Sequence, residues 1–366
     1  MSGGARRWIG RLLLVLGGLL LGAVGAEVLS RMVRPDASAD LLFGSPESSP
    51  MGLYVIDHQT LLTPRPGFSG TIRSPGYAVD LRINEAGLRG PSTASISGKQ
   101  WLAVGDSFTM SVQVPEEETF AGQLSGPVGA HIWNAGVDGF STWQAGIRYA
   151  EIDDVLPIEQ VVLTFFLGND FQDNAHFPHI SRNPPSMPEG ADIPREVMPP
   201  LTRFLLRHSH LYAHWRVLQR RATVSTGQDH SGQRWKQELM IFSTDGAQSL
   251  SQLSRETEKA LQTFRDAVQA RGDTLLVAVA PPAFVIETDR AEATFEVVGL
   301  DTARMDLDAP RRAALDVLKR LNIPACDLTE PLKTAADAGE ALYFVYDGHW
   351  TADGHAVVAE ALEGCL

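Results

Sequence analysis

Residues 160–167, Gln160-Val161-Val162-Leu163-Thr164-Phe165-Phe166-Leu167, are an almost unbroken apolar run of β-branched and aromatic side chains. A strand with one wet face alternates apolar and polar residues. A strand apolar at successive positions is buried on both faces, and such strands lie in sheets covered by helices on either side. Shorter strand-like runs occur at Trp101–Val104, His131–Asn134, Thr274–Ala280 and Ile323–Asp327. Between them the apolar spacing is helical: near 117–124, 142–155 and 309–321, over Ser251–Arg271 up to the stop at Gly272, and over Thr351–Leu362. Strands joined by helical crossovers predict an α/β fold. It is a three-layer α/β/α sandwich around a mostly parallel sheet of about five strands.

The sheet domain spans about 99–366 in this reading. It carries an irregular insertion at about 171–248, rich in Pro, His and Arg, with a helix near Pro200–Arg221. A long insertion after a strand usually lies over the active face. Ahead of the domain, Thr71-Ile72-Arg73 and Tyr77–Ile83 alternate as short strands, and residues 34–50 read as a tether, so 31–98 form a tether and a small β section. At the start, Arg6, Arg7 and Arg11 precede the uncharged run Leu12–Ala26. A basic flank before a leucine-rich run marks a signal anchor or a signal peptide over about 1–30. We read an uncleaved anchor, with Trp8, Ile9, Val28 and Leu29 extending the run. Cleavage after Val24-Gly25-Ala26, giving a secreted protein, is the alternative. Either way the body lies outside the cytoplasm, in the periplasm for the anchored form.

A formal net charge of -13 argues against nucleic acid as a partner, since phosphate binding needs a basic face. The two cysteines, Cys326 and Cys365, are either a disulfide of an oxidising compartment or two buried thiols. Neither has the neighbours of a zinc site, and His176, His179, His208, His210 and His214 in the insertion read as surface residues. No cofactor and no metal is expected.

Four polar blocks fall at the expected carboxyl ends of strands, the edge where open parallel sheets build their sites. Gly105-Asp106-Ser107-Phe108-Thr109 follows the first strand, and Asn134-Ala135-Gly136-Val137-Asp138-Gly139 the second. Gly168-Asn169-Asp170 follows the third. Asp347-Gly348-His349 follows the apolar stretch Leu342–Tyr346, also read as a strand. Each block alone has an ordinary explanation: Ser107 as a helix cap, Asn169 as a turn residue. Together they supply a hydroxyl, an imidazole to take its proton and a carboxylate to fix the imidazole tautomer. The backbone N–H groups of Ser107 and Gly139 and the Asn169 amide could converge as donors to an oxyanion. Asp106 and Asp170 read as structural, bonding loop backbone, and His355 as a helix-start surface residue.

In that order, Gly-Asp-Ser, Asn-Ala-Gly-x-x-Gly, Gly-Asn-Asp and Asp-x-His, the blocks resemble those of the SGNH or GDSL-type hydrolases over about Gln100–Leu366. The resemblance implies a flavodoxin-like sandwich and a serine enzyme that cleaves esters or transfers acyl groups. It implies Ser107 as nucleophile, His349 as base, and Gly139 and Asn169 as oxyanion-hole donors. Gly354 stands where the family has a glycine after its histidine, favouring His349 over His355. The single residue between Asp347 and His349 is shorter than the family's commoner spacing. It resembles membrane-associated bacterial members, among them the alginate-type O-acetyltransferases. Met110-Ser111-Val112 departs from the glycine of many relatives. The implied partners are an ester-bearing small molecule, a lipid or an acylated glycan. A non-catalytic glycan-binding or assembly protein on the same scaffold is the reading of another class.

Overall fold

The computed structural model describes residues 3–33, 52–74, 76–193, 199–225, 230–345 and 347–366. The tether read over 34–50 lies outside them. The long helix α1 (Gly3–Val33) is followed by two antiparallel hairpins, β1 (Tyr54–Asp57) with β2 (Leu61–Pro64) and β3 (Ser69–Ser74) with β4 (Tyr77–Arg82). The sheet strands are β5 (Gln100–Val104), β6 (His131–Asn134), β7 (Ile158–Phe166), β8 (Thr274–Ala280) and β9 (Ala325–Asp327). They pair in parallel in the order β6-β5-β7-β8-β9. The order reverses at β5, so the sheet's crevice opens between the carboxyl ends of β5 and β7.

Alternation along each strand shows why helices cover both faces. Leu102, Val104, Val161, Leu163, Phe165, Val277 and Val279 join one core with Tyr149 of α4 (Thr142–Asp153), Phe264 of α9 (Ala247–Arg271) and Val317 of α12 (Ala309–Arg320). The intervening Ala103, Val162, Leu276, Ala278 and Cys326 join a second with Leu124 of α3 (Phe120–Val128), Leu332 of α13 (Thr329–Asp337) and Val358 of α14 (Ala352–Cys365). Two cores on opposite faces of one sheet make the three-layer α/β/α sandwich that the apolar runs predict. Cys326 on β9 and Cys365 at the end of α14 are joined by a disulfide with Cα atoms 5.8 Å apart.

Three expectations change. The insertion is largely helical: α5 (Asp170–Ile180), α6 (Pro200–His208), α7 (His210–Ser225) and α8 (His230–Met240), with the helix expected over 200–221 broken at extended Ser209. The short helices α10 (Ala283–Ile286) and α11 (Thr288–Val297) follow β8. Leu342–Val345, the described part of the run read as a strand, is not one. Tyr343 and Trp350 form an isolated bridge, and Phe344 N–H donates to the His349 carbonyl at 2.9 Å, so the chain turns back on itself around Gly348. Its apolar character comes from Leu342 and Tyr343 filling the second core. The N-terminal β section also packs on the sheet domain: Leu53, Tyr54, Ile72, Leu81 and Ile83 share a cluster with Met110, Val112, Val137 and Phe140 from the loops after β5 and β6.

Candidate active site

β5 ends at Val104, and the turn Gly105-Asp106 starts the short helix α2 (Ser107–Met110). Gly105 has φ +144, and a Cβ there would lie 2.8 Å from the Thr164 carbonyl oxygen of β7. Only glycine lets the chain leave the sheet at that angle. Asp106 caps α2, accepting the Phe108 N–H at 2.9 Å. The loop after β6 presses against this turn. The Asn134 amide donates to the Thr109 carbonyl at 2.7 Å, and a Cβ on Gly136 would lie 2.2 Å from Met110 N. Ser111, in the segment that departs from the family's glycine, takes the left-handed conformation (φ 53) that glycine adopts without strain.

The turn delivers Ser107 Oγ to 2.7 Å from His349 Nε2. The other ring nitrogen, Nδ1, is hydrogen-bonded to Asp347 Oδ1. Phe108 supports the imidazole from beside the serine, its ring centroid 4.7 Å from that of His349. Asp347 is closed in on its far side: Tyr77 Oη donates to Oδ2 at 2.8 Å, and Gln113 Nε2 lies 3.2 and 3.3 Å from the two oxygens. Burial alone would raise this carboxyl. The His349 charge and the donors around it outweigh burial and hold it below its ordinary value. Burial pulls His349 the other way, but the Asp347 charge and hydrogen bond win and raise its pKa above the ordinary 6.5.

Asn169 caps the start of α5 after β7. Its Oδ1 is buried without a partner, and its amide N–H groups donate to none of the described residues. Ser107, Asn169, Asp347 and His349 line one cavity of ≈ 330 Å³ together with Phe166, Phe284 and, from the insertion, Trp235, Glu238 and Leu239 of α8. Gly139 is not in that lining. It sits exposed at the end of the β6 loop, and among the described residues its N–H donates to no carbonyl. The arrangement thus holds a hydroxyl against a neutral-capable base, with unused donors around the same space.

Residues 241–365 match the family model described as ALGX, SGNH hydrolase-like domain, acetyltransferase AlgX. Over those residues, which hold Asp347 and His349 but not Ser107 or Asn169, the chain is similar to an SGNH hydrolase-like domain. Solved structures similar to it include LAE5, an alpha/beta hydrolase enzyme from the metagenome of Lake Arreo, Spain, at 13% identity over 74% of this chain and 97% of that one (TM-score 0.41). A lipolytic protein of the G-D-S-L family from Desulfitobacterium hafniense DCB-2 is similar at 12% identity over 74% and 100% (0.39). A catalytic mutant of Axe2, an acetylxylan esterase from Geobacillus stearothermophilus, is similar at 11% over 73% and 93% (0.38). No curated protein matches the sequence.

Beneath the turn that carries Ser107 the fold buries acidic groups. Asp170 Oδ2 accepts the Phe166 N–H at 2.7 Å, so Asp106 and Asp170 each bond loop backbone, as read from the sequence. Burial raises Asp106, and burial with the Asp106 charge raises Asp170 well above the carboxylate range. His355 is the correction. It is buried, not a surface residue, because its ring packs against Phe120 and Trp350 and its Nδ1 accepts the Phe120 N–H at 3.2 Å. Burial pushes its pKa down to about 3, leaving it neutral. Of the insertion histidines, His176, His179 and His208 are exposed, whereas His210 and His214 are half-buried. Among the described residues, no three His, Cys, Asp or Glu side chains group as a metal site.

Sequence reasoning missed three residues that shape the site. Tyr77 and Gln113 hold Asp347. Arg89, its side chain 1% exposed, reaches under the loop after α2, donates to the carbonyls of Met110, Ser111 and Val114, and lies 3.7 Å from Glu116. The alternating pattern around Tyr77 predicted a strand, but nothing local points to a partner 270 positions away.

Proposed function

We propose that the protein is a serine ester hydrolase acting outside the cytoplasm through an acyl-Ser107 intermediate. Ser107 Oγ attacks the ester carbonyl while His349 Nε2 takes its proton, and Asp347 stabilises the imidazolium that forms. The donors proposed for the tetrahedral oxyanion are the Ser107 N–H, the Gly139 N–H and the Asn169 amide. His349 then protonates the leaving alcohol, and water attacks the acyl-serine by the same relay in reverse. The observation that carries this reading is the 2.7 Å contact of Ser107 Oγ with an imidazole whose other nitrogen is held by a buried carboxylate.

The setting is supported by α1, which within Trp8–Val33 is long and apolar enough to cross a membrane. The arginines on its amino side favour a cytoplasmic position for that end. The Cys326–Cys365 disulfide supports an oxidising compartment for the domain. An acetyl transfer from Ser107 to an extracytoplasmic glycan is the second reading. It is favoured by the acetyltransferase in the matching family's description and by Trp235, 40% exposed at the cleft, where a sugar ring could stack.

Hydrolysis of p-nitrophenyl acetate by the full-length protein in detergent tests the serine chemistry. Ser107→Ala should remove the activity while leaving the thermal transition in place; an unchanged rate would reject Ser107 as nucleophile. Acetate release measured with and without candidate polysaccharides separates the two acceptors.

A further inference from the structure

Residues 197–228 contain no Asp or Glu, although the chain as a whole carries a formal net charge of -13. Helices α6 and α7 lie in this stretch. They bury one apolar stripe together, Leu206, Ala213 and Val217. A second stripe points outward: Leu201 (68% exposed) and Phe204 (57%) on α6, and Leu211, Trp215 and Leu218 on α7. Leu211, Trp215 and Leu218 are spaced four and three apart, so they share one face of the helix. Arg203, Arg207 and Arg216 are interleaved with them. Five large exposed apolar side chains on a basic, acid-free helix pair are not what water selects. Leu, Phe and Trp on one side with Arg on the other is the composition of a helix lying in a bilayer interface.

What covers this face is indicated by α1. Its carboxyl end docks on the start of α7: Glu27 accepts Ser209 Oγ at 3.0 Å and the N–H groups of His210 at 2.8 Å and Leu211 at 3.0 Å. Arg31 donates to the His208 carbonyl at 3.3 Å, and Ser30 is buried. Glu27 is the first charged residue after the uncharged run that ends at Ala26. At about 1.5 Å per residue, the uncharged run Leu12–Ala26 is ~22 Å long, and with Trp8 and Ile9, across Arg11, the stretch reaches ~28 Å, close to the ~30 Å hydrocarbon thickness. The residue that ends the span therefore also caps α7, fixing its start at headgroup level.

We propose that the outward face of α6 and α7 is a membrane-interface surface. Leu201, Phe204, Leu211, Trp215 and Leu218 seat among headgroups and upper acyl chains, and the exposed Arg216 meets anionic lipid phosphates. The proposal rests on α1 being a membrane anchor. Since α8 supplies Trp235, Glu238 and Leu239 to the cleft, the seating also holds the catalytic mouth close to the bilayer.

The test uses the full-length chain in phosphatidylcholine–phosphatidylglycerol vesicles. With both native cysteines in the disulfide, a nitroxide can be placed on one new thiol in Phe204→Cys, Leu218→Cys, Leu19→Cys on α1, or Gln252→Cys on α9. The proposal expects labels at 204 and 218 to collide with oxygen in preference to a water-soluble nickel complex. Their ratio should be several-fold above that at 252 and approach that at 19. A lipid-like label at 19 with water-like labels at 204 and 218 would overturn this surface while leaving the anchor intact. A water-like label at 19 would remove the anchor and this proposal with it. Labels at 204 and 218 shielded from both relaxers, or broadened by a neighbouring spin, would show a protein covering the face and overturn the proposal. If the thiol variants fail to fold, headgroup-proximal brominated lipids should quench the native protein's tryptophan fluorescence more than that of Trp215→Phe; equal quenching would count against it.

Discussion

Replacing Asp347 by asparagine changes one atom's chemistry and leaves the shape of the site alone. The carboxylate sits between two kinds of neighbour. Tyr77 Oη and Gln113 Nε2 donate to it from one side, and the His349 ring lies on the other. In the asparagine variant the carbonyl oxygen satisfies the donors, which turns the NH2 group toward His349 Nδ1. Nδ1 must then accept a hydrogen bond, so the ring proton moves to Nε2, the nitrogen 2.7 Å from Ser107 Oγ. A protonated Nε2 cannot take the serine proton. Loss of the correct tautomer in a triad lowers kcat by roughly 10,000-fold, ~5 kcal/mol of transition-state stabilisation. The assay is p-nitrophenyl acetate hydrolysis by full-length Asp347→Asn in detergent, with urea unfolding as the check on folding. Adding Tyr77→Phe in the same background frees the amide to turn over and should recover part of the rate. A folded Asp347→Asn within tenfold of the unchanged protein would refute the tautomer argument.

The pH profile tests the same ring. The base must be neutral, and its pKa is raised by Asp347, so the rising limb of kcat/KM should be centred above 6.5 and move down in Asp347→Asn; a limb at or below 6.5 in the unchanged protein would count against the pair. Arg89→Met strips the donor from three carbonyls and leaves Glu116 without its cation, so unfolding free energy should fall by ~2–4 kcal/mol in urea titrations and kcat should fall with the loop's rigidity. An unchanged midpoint would show the clamp to be idle. Reduction of Cys326–Cys365, separated by 39 positions, should lower stability by about 2–4 kcal/mol, read as a drop in Tm with dithiothreitol that the double variant Cys326→Ala, Cys365→Ser reproduces.

The sheet was readable because burial on both faces writes an apolar run into the chain, as in Val161–Phe166, whose side chains divide between the two cores. Ser107 and Asn169 were readable because a parallel sheet sends the ends of its strands to one edge, and each lies in a short polar block after a strand; His349 was singled out by its Asp-x-His block, although the apolar run before it is not a strand. The same reasoning failed where contacts come from far along the chain. Tyr77 belongs to a surface-like hairpin, and only the docking of that hairpin turns its hydroxyl onto Asp347. His355 has the sequence of an exposed first helical turn, but Phe120 and Trp350 close over it. Leu342 and Tyr343 are apolar because a reversing loop plugs the core, which composition alone does not separate from a strand. In the insertion, Pro, His and Arg read as irregular chain, while the helices gain stability from packing on α1 and on one another, contacts invisible to local propensity.

Trapping the nucleophile tests the central claim most directly. A fluorophosphonate reacts with a serine only when an adjacent base draws off its proton and an oxyanion site receives the developing charge. Intact-mass and peptide mapping of the full-length protein should show one phosphonyl adduct, on Ser107, absent from His349→Ala. A folded protein that leaves Ser107 unmodified, or that takes up the label at another serine, would contradict the account.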